Sequence, residues 1–391
     1  MDTGPMDAEQ YRRIWEEVHR GLSVRLEDLH DPFAEERMRQ AAAGPPQSYK
    51  DARKKVEQFI LKADPTSFDD IVGNAEALET LIDAIQAPVK YKELYKAYGM
   101  KMPKGALLSG PPGCGKTMFA RAAASEFIKL YGKEVEFISI QATDIQSTFV
   151  GATEAHIRNI FKFGREYMAY KGHPLLVFMD EAEIMFPDRT GRQRRVFPWE
   201  ESQVATFLAE MDGIRESCVF MLLATNRPEA IDSALLRDGR CDFKIVVKRP
   251  TKESAETILN KAFTHTLAGE NQDTLIMAAL ESFYSPHHII AEADSIIADL
   301  EKRKVKQGLS RHFLLEDIVS GAMLVSIPTR ATRHAFARDK KEGVAKGVTV
   351  PDVIRAVTDI FEENKRLDHP FARQEFMEKF IKDLEKDIEN D

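Results

Sequence analysis

Apolar runs and amphipathic stretches alternate along the middle of the chain. Five short apolar runs predict β-strands, at 105–109, 135–140, 174–179, 219–224 and 243–247. The run at 174–179 is continuously apolar, as expected for a strand that is covered on both faces. The helical spacing of Ile157, Ile160 and Phe161 predicts a helix over 153–170. Strands that alternate with helices indicate an α/β fold with a parallel sheet, whose functional groups lie at the carboxyl ends of the strands.

After Thr251 the pattern changes to helical periodicity alone. Predicted helices cover 252–267, 287–304, 321–338 and 351–363. We therefore predict a small helical domain at 251–367. Beyond it, apolar residues recur at every fourth position: Phe376, Phe380, Leu384 and Ile388. This stripe predicts a C-terminal amphipathic helix within 368–391, packed against the helical domain or against a neighbouring molecule.

The first 64 residues are polar, with predicted helices at 7–20, 33–43 and 49–62. They contain too few apolar residues for a large core. We interpret residues 1–64 either as a loosely packed helical extension or as a region that binds a partner or substrate. The α/β domain, with all five predicted strands, then covers residues 65–250.

Composition narrows the class of protein. The 391 residues allow two or three domains. A net charge of −8 argues against a general binder of nucleic acid or of anionic membranes. No apolar run approaches the ~20 residues of a membrane span, and the first residues lack the basic and apolar regions of a signal peptide. Three cysteines without a pairing pattern then favour a cytoplasmic location.

The segment Gly110–Thr117 fits the phosphate-binding pattern G-x-x-x-x-G-K-[ST] without a mismatch. It lies between the first predicted strand and a predicted helix, which is the context that the motif needs. Lys116 is expected to reach the β- and γ-phosphates of a nucleotide, and the Thr117 hydroxyl to ligate Mg²⁺. The residues predicted to bind the nucleotide here are Pro112, Gly113, Cys114, Gly115, Lys116, Thr117 and Met118.

Polar residues follow two other predicted strands. Asp180 and Glu181 come directly after the strand at 174–179, and Asn226 closes the next strand along the chain. We expect Asp180 to hold Mg²⁺ through its water shell and Glu181 to act as the general base toward the attacking water. Asn226 is expected to orient water or to contact the γ-phosphate without adding charge.

Arg237 and Arg240 lie in a segment that is expected at the far side of the sheet. From there they reach a phosphate of a neighbouring subunit more easily than one of their own. An arginine supplied in this way stabilises the transition state, typically by about 10³–10⁵ in rate. A surface pair of salt bridges explains their spacing equally well.

Two loops could contact a polypeptide. Phe149, Val150 and Gly151 lie between the second strand and its helix. In a ring, this aromatic loop would face the central channel and grip an extended chain; otherwise Phe149 belongs to the core. Residues 192–195 form a basic loop that is either a second channel element or simply solvated.

Together, the phosphate loop, Asp180-Glu181, Thr225-Asn226 and the segment 235–240 resemble the motifs of the AAA clade of AAA+ ATPases. Within that clade, the stretches 92–98, 149–158, 239–245 and 320–323 are similar to the bacterial proteasome-associated ATPases of the ARC/Mpa type. The resemblance covers roughly residues 68–367. It implies a P-loop AAA+ fold: a parallel five-stranded sheet of order 5-1-4-3-2, a C-terminal helical lid, and here a short helical N-terminal extension.

The resemblance also implies a homo-hexameric ring that uses ATP and Mg²⁺ to thread protein substrates through its pore. Arg237 and Arg240 would be the arginine fingers, Asn226 the first sensor, and Phe149 the pore-loop aromatic. Residues near the adenine would be Val72, Gly73, Gly321 and Ala322. A peptidase or an adaptor would be a further partner.

The chain departs from the proteasome-associated relatives at both ends. Those relatives carry a long coiled coil and OB-type domains before the ATPase, and they end in a tail with a penultimate tyrosine. Here about 65 helical residues precede the ATPase without sustained heptads, and the chain ends Ile388-Glu389-Asn390-Asp391.

Three functions therefore compete. The first is an ATP-driven protein unfoldase, which feeds a protease in one version. The second is a nucleotide-switched ATPase that disassembles one complex without a peptidase. The third, a nucleic-acid motor or loader of the wider AAA+ group, is disfavoured by the acidic net charge.

Overall fold

The computed structural model describes most of the chain from residue 44 onward: residues 44–61, 66–132, 135–145, 151–188, 197–213, 218–237, 239–264, 266–291, 312–367, 369, 372–373 and 375–376. The chain divides into two units between Lys50 and Asp51. The sheet, the lid and every site described below belong to the second unit.

A six-stranded sheet forms the centre of the large domain. Its strands are β1 (Ile60–Leu61), β2 (Gly105–Ser109), β3 (Phe137–Gln141), β4 (Leu175–Asp180), β5 (Val219–Thr225) and β6 (Phe243–Val246). Their order is β1-β3-β4-β5-β2-β6. Strands β2 to β6 are parallel to one another, and they follow the predicted order 5-1-4-3-2.

The sixth strand was not predicted. Helix α1 (Gln47–Lys54) stops well before the predicted end at Lys62, and β1 instead pairs antiparallel with β3, with Ile60 opposite Ile138. The Arg53 guanidinium bonds Glu136 at 2.5 Å, immediately before β3. The local sequence of this segment is amphipathic, so by itself it predicts a helix. The unpaired edge of β3 and the Arg53–Glu136 pair favour a strand instead.

Helices cover both faces of the sheet. The large domain contains α2 (Ala75–Lys90), α3 (Lys92–Ala97), α4 (Lys116–Tyr131), α5 (Ala142–Ile145), α6 (Ala152–Lys171), α7 (Ala182–Met185) and α8 (Pro198–Asp212). Leu81 of α2 and Phe119 of α4 pack with Phe178 of β4 in one buried cluster. The alternate residues of β4 are also buried, and α6 approaches β5 closely because Gly164 lies against Val219. The continuous apolar pattern of β4 is thereby explained.

The lid contains α9 (Lys252–Phe263), α10 (Gln272–Phe283), β7 (Ile289–Ala291), β8 (Phe313–Leu314), α11 (Gly321–Glu342) and α12 (Val350–Lys365). The prediction of helices alone is wrong here. A helix was predicted over 287–304, but its described start is a strand that pairs antiparallel with β8, and α10 was not predicted. The partner strand is more than twenty residues away, beyond the reach of a local pattern.

The described residues of the C-terminal segment pack on the lid, which agrees with the predicted role of its apolar stripe. The ring of Phe376 lies 5.4 Å from that of Phe313, edge to face. Glu375 pairs with Arg249 at 2.9 Å. The other members of the stripe, Phe380, Leu384 and Ile388, lie outside the described residues.

Candidate nucleotide site

The glycine loop joins the end of β2 to the start of α4. Gly115 has a φ of 97°, in the left-handed region, and it forms the N-cap of α4. Gly110 has a φ of 150°, and a Cβ there would lie 2.1 Å from the carbonyl oxygen of Val247. Only glycine fits such an approach of two backbones. The loop therefore presents backbone N–H groups and a helix N-terminus to one space, as an anion requires.

The Lys116 amine is held at the centre of this loop. Only 6% of the residue is exposed. Nζ donates to the carbonyl oxygens of Gly110 and Pro111, at 2.8 and 2.9 Å, and to Asn226 Oδ1 at 2.6 Å. Burial lowers the pKa of Lys116, and neighbouring acidic groups oppose that shift. Asn226, which was expected to orient water or to contact the γ-phosphate, thus contacts the loop lysine directly.

The two acidic residues stand beside the loop, at the end of β4. Thr117 Oγ1 lies 3.4 Å from Asp180 Oδ2, so the two predicted metal ligands are neighbours. The Glu181 N–H donates to Asp180 Oδ1 at 2.9 Å. Glu181 has a φ of 54°, and only Asn74 shares a positive φ with it among the described non-glycine residues. Such a conformation costs of order 1–3 kcal/mol and is typical of functional sites.

The residue before Asn226 makes contacts that the sequence analysis missed, and these contacts hold Asn226 in place. The Thr225 hydroxyl donates to Glu183 Oε2 at 2.7 Å, and it accepts from the Arg227 N–H at 2.9 Å. Asn226 is thereby held between two anchored neighbours, with its amide toward Lys116. The only signal was that Glu183 shares the acidic run that begins at Asp180.

The residues predicted near the adenine lie in two places. Gly73 (φ 76°) is so close to α9 that a Cβ would lie 2.7 Å from Ser254 Oγ. Its neighbour Asn74 forms a paired contact with the Lys248 backbone, at 2.7 and 3.1 Å. A cavity of about 250 Å³ is lined by residues 73–77, 246, 248–251 and 254. Asn74 and Ser254 are further residues that the sequence analysis did not identify.

The lid touches the glycine loop directly. The Ala322 N–H donates to the carbonyl oxygen of Gly113 at 3.1 Å. Gly113 also faces Ser320, whose hydroxyl caps α11. Gly321 and Ala322 are therefore brought to the loop, while Val72 and Gly73 lie toward α9. The predicted set thus spans the boundary between the large domain and the lid.

A larger cavity of about 580 Å³ opens between the loop, the end of β6 and the lid. Arg249 crosses it: Nη1 donates to the carbonyl oxygens of Ile318 and Val319, at 3.0 and 3.1 Å, and Nε binds Glu375. This half-buried guanidinium joins the segment after the last strand of the sheet to the lid and to the C-terminal segment.

Two other loop residues are placed without a specific role. Cys114 is partly buried, and burial raises the pKa of its thiol, so this group is not activated as a nucleophile. Met118 lies in the first turn of α4 and is exposed. The described residues contain no cluster of three or more His, Cys, Asp or Glu side chains that would hold a metal by themselves. A single carboxylate and a hydroxyl fit Mg²⁺ that is shared with phosphate oxygens.

The two arginines lie at the opposite end of the sheet. The Asp242 N–H donates to the carbonyl oxygen of Gly105, the first residue of β2, at 3.0 Å. The glycine loop follows the last residue of that strand, ~17 Å away for five residues. Arg240 is held by Asp212 through two bonds, of 2.6 and 2.8 Å, whereas Arg237 is exposed. Neither arginine completes the site of its own chain.

The predicted channel residues are only partly described. Gly151 (φ 81°) is the N-cap of α6. Phe149 and Val150 lie outside the described residues, as does the basic loop at 192–195.

Comparisons with known proteins agree with this arrangement. Residues 106–249 match the sequence model of the ATPase family associated with various cellular activities (AAA). This part of the chain is an AAA domain. It contains the glycine loop, both acidic residues, Asn226 and both arginines, so the resemblance inferred from the motifs is confirmed.

Over the aligned region, several relatives are about a third identical to the chain. An AAA ATPase forming ring-shaped complexes, from Corynebacterium glutamicum strain R, is 33% identical over 321 residues, which are 81% of this chain and 58% of that protein. A proteasome-associated ATPase of Mycolicibacterium vanbaalenii is 34% identical over 80% of this chain and 53% of its own length. A second one, from Mycobacteroides abscessus, is 34% identical over 80% and 54%. The chain thus spans little more than half the length of these relatives. Within the described residues, no helix has the length and apolar character needed to cross a bilayer.

Proposed function

We propose that this protein binds and hydrolyses ATP with Mg²⁺ at the glycine loop. The observation that carries the proposal is the contact of Lys116 with Asn226, beside the neighbouring pair Thr117 and Asp180. Lys116 exchanges its loop carbonyls for the β- and γ-phosphates, which compensate its buried charge better than carbonyls do. Thr117 and Asp180 hold the metal, which neutralises charge on those phosphates when it is bound.

Glu181 is the proposed general base. It takes the proton of the attacking water while Asn226 orients that water toward the γ-phosphate. The left-handed backbone of Glu181 and the hydrogen bond that its N–H donates to Asp180 fix the direction in which the Glu181 side chain leaves the backbone. The Asn226 amide adds no charge that would repel the phosphate.

We further propose a homo-hexameric ring, in which each site is completed by Arg237 and Arg240 of a neighbour. The support is the position of both arginines at the amino ends of the strands, away from their own loop. A relative described as forming ring-shaped complexes supports the same assembly.

The ring is proposed to unfold proteins by threading them past Phe149, Val150 and Gly151, and to work with an adaptor or a peptidase. Support for the peptidase comes only from the relatives that are described as proteasome-associated ATPases.

One variant tests the threading. Phe149→Ala is expected to lose unfolding of a tagged fluorescent substrate, while ATP hydrolysis without polypeptide continues. Tyr98→Ala, which removes an exposed aromatic far along the chain from the loop, is the matched control and should unfold normally. Unfolding by Phe149→Ala at the wild-type rate would refute threading by this loop. ATP hydrolysis that rises with DNA or RNA, and falls steeply with salt, would instead favour a nucleic-acid motor.

A further inference from the structure

Arg249 lies where the sheet, the lid and the C-terminal segment meet. One nitrogen of its guanidinium, Nη1, donates to the carbonyl oxygens of Ile318 and Val319, and Nε donates to the Glu375 carboxylate. A planar guanidinium holds several acceptors in fixed directions, whereas the ammonium of a lysine is a point charge without such a fork. The three contacts therefore fix the turn of the lid that carries Ile318 and Val319.

On the sheet side, the backbone that carries Arg249 is joined to the start of the glycine loop. The Val247 N–H donates to the carbonyl oxygen of Ser109 at 2.7 Å. The Val247 carbonyl lies so close to Gly110 that only glycine fits there. Arg249 follows Val247 by two residues, so the base of its side chain is held in place relative to the first residue of the loop.

On the lid side, the carbonyls that accept from the guanidinium lead directly to a second contact with the loop. Ile318 and Val319 are buried in the lid core. Ser320 follows them and caps α11, and the Ala322 N–H donates to the Gly113 carbonyl at 3.1 Å. The contacts thus form a closed path, which runs from the start of the glycine loop through the guanidinium and the lid to the middle of the loop.

We propose that Arg249 is a positioning residue, which holds Gly321 and Ala322 of the lid against the glycine loop so that they bind the adenosine part of ATP. This inference rests on the proposed ATP site and divides its roles. The groups proposed to act on the phosphates belong to the large domain, whereas Gly321 and Ala322 belong to the lid. Loss of the Arg249 side chain should therefore weaken the binding of adenosine and leave the phosphate chemistry in place.

A comparison of two ligands tests this division. ATP has both an adenosine and a phosphate part, whereas inorganic tripolyphosphate with Mg²⁺ has only the phosphate part. Each ligand competes with a fluorescent ATP analogue for the full chain, in the wild type and in Arg249→Met. We expect Arg249→Met to weaken ATP binding by about tenfold, as for lost hydrogen bonds from a charged group, and tripolyphosphate binding by less than about twofold.

Steady-state kinetics should show the same division. In Arg249→Met, we expect the KM for ATP to rise by about tenfold while kcat changes by less than about twofold. Arg249→Lys keeps the charge but loses the fork, so it should show a smaller rise in KM, again with little change in kcat. Glu375→Gln should also have a smaller effect than Arg249→Met, because the two carbonyl contacts remain.

The matched control is Arg330→Met. The Arg330 guanidinium binds Glu363 through two bonds of 2.8 Å, and both residues belong to the lid. This variant therefore removes a similar ion pair that does not reach the sheet, and it should bind both ligands as the wild type does.

Three outcomes would contradict the inference. Equal losses of ATP and tripolyphosphate binding in Arg249→Met and in Arg249→Lys would overturn it, because Arg249 would then support the loop rather than the lid. Wild-type affinity for ATP in Arg249→Met would overturn it while the proposed ATPase stands. Binding of neither ligand by the wild type would refute the proposed ATPase, and the inference with it.

Discussion

The two ends of the parallel sheet carry opposite kinds of polar site. At the carboxyl ends, Lys116 and Asn226 contact each other inside the protein, and Asp180 stands beside Thr117. At the amino ends, Arg237 is exposed and Arg240 bonds Asp212 at the surface. The first end holds a buried lysine, whereas the second faces outward. This difference is the basis of our proposal that the catalytic groups are divided between subunits, because the arginines lie far from the loop of their own chain.

The largest expected effect comes from the exposed arginine. Arg237→Ala should lower ATP hydrolysis by about 10³–10⁵ if it stabilises a neighbour's transition state, with little change in nucleotide affinity. The measurement is kcat beside nucleotide binding. The matched control is Arg227→Ala, which removes an exposed arginine paired with Glu229.

A mixture of variants distinguishes action on a neighbour from action on the same chain. Arg237→Ala and Glu181→Gln are each expected to be inactive alone. When they are mixed, an intact Glu181 can meet an intact Arg237 from the adjacent subunit, and part of the activity should return. A mixture that stays as inactive as its components would contradict the shared site.

The second-largest effect is expected at the carboxyl ends of the strands, where Glu181 lies. Glu181→Gln should lower hydrolysis by about 10²–10⁴ because the general base is lost, while ATP binding persists. A filter-binding assay with labelled ATP, and the size of the complex, measure this. Glu183→Gln is the comparison, since Glu183 accepts from Thr225 rather than facing the loop; its loss should be smaller. Normal turnover by Glu181→Gln would remove Glu181 from its proposed role.

A third, smaller effect separates the two roles of Arg240. Its partner Asp212 is 55% exposed, and such a pair contributes at most about 1 kcal/mol. Asp212→Asn should therefore change the free energy of unfolding by less than that, and hydrolysis by less than about fivefold. Arg240→Ala should lower the rate of ATP hydrolysis clearly more than Asp212→Asn does. Equal losses in both variants would mean that Arg240 acts only through the surface pair.

The smallest effect is the pH dependence of the buried amine. Burial lowers the pKa of Lys116 from the 10.5 of a free lysine. Between the two pKa values the unfolded chain binds the proton and the folded one does not, so the free energy of unfolding gains from this group as pH rises. Without nucleotide, the stability of the wild type relative to Lys116→Met should increase toward pH 10.5. Denaturant unfolding of both proteins across alkaline pH measures it, and a falling difference would contradict the burial argument.

Local pattern was sufficient for the nucleotide half of the site. Strands β2, β4 and β5 are short, apolar and covered on both faces, so each one could be located together with the polar residues at its end. It was not sufficient where a partner distant in sequence decides the conformation. The local sequence predicts that Ile60–Leu61 is helical, but this segment pairs with the edge of β3. It likewise predicts that Ile289–Ala291 is helical, but this segment pairs with β8. Contacts that cross the domain boundary, such as that of Ala322 with Gly113, produce no periodic pattern in the sequence.

The sequence by itself determined the chemistry: a loop that fits phosphate, two acids and an amide at strand ends, and two arginines further on. Short spacings carry that information, because a strand–loop–helix unit folds its own residues into place. Only the tertiary structure decided which groups meet. It set Lys116 against Asn226, and Glu183 against Thr225. It also placed the arginines at the far end of the sheet. These distances depend on sheet order and helix packing, which join residues far apart in the chain.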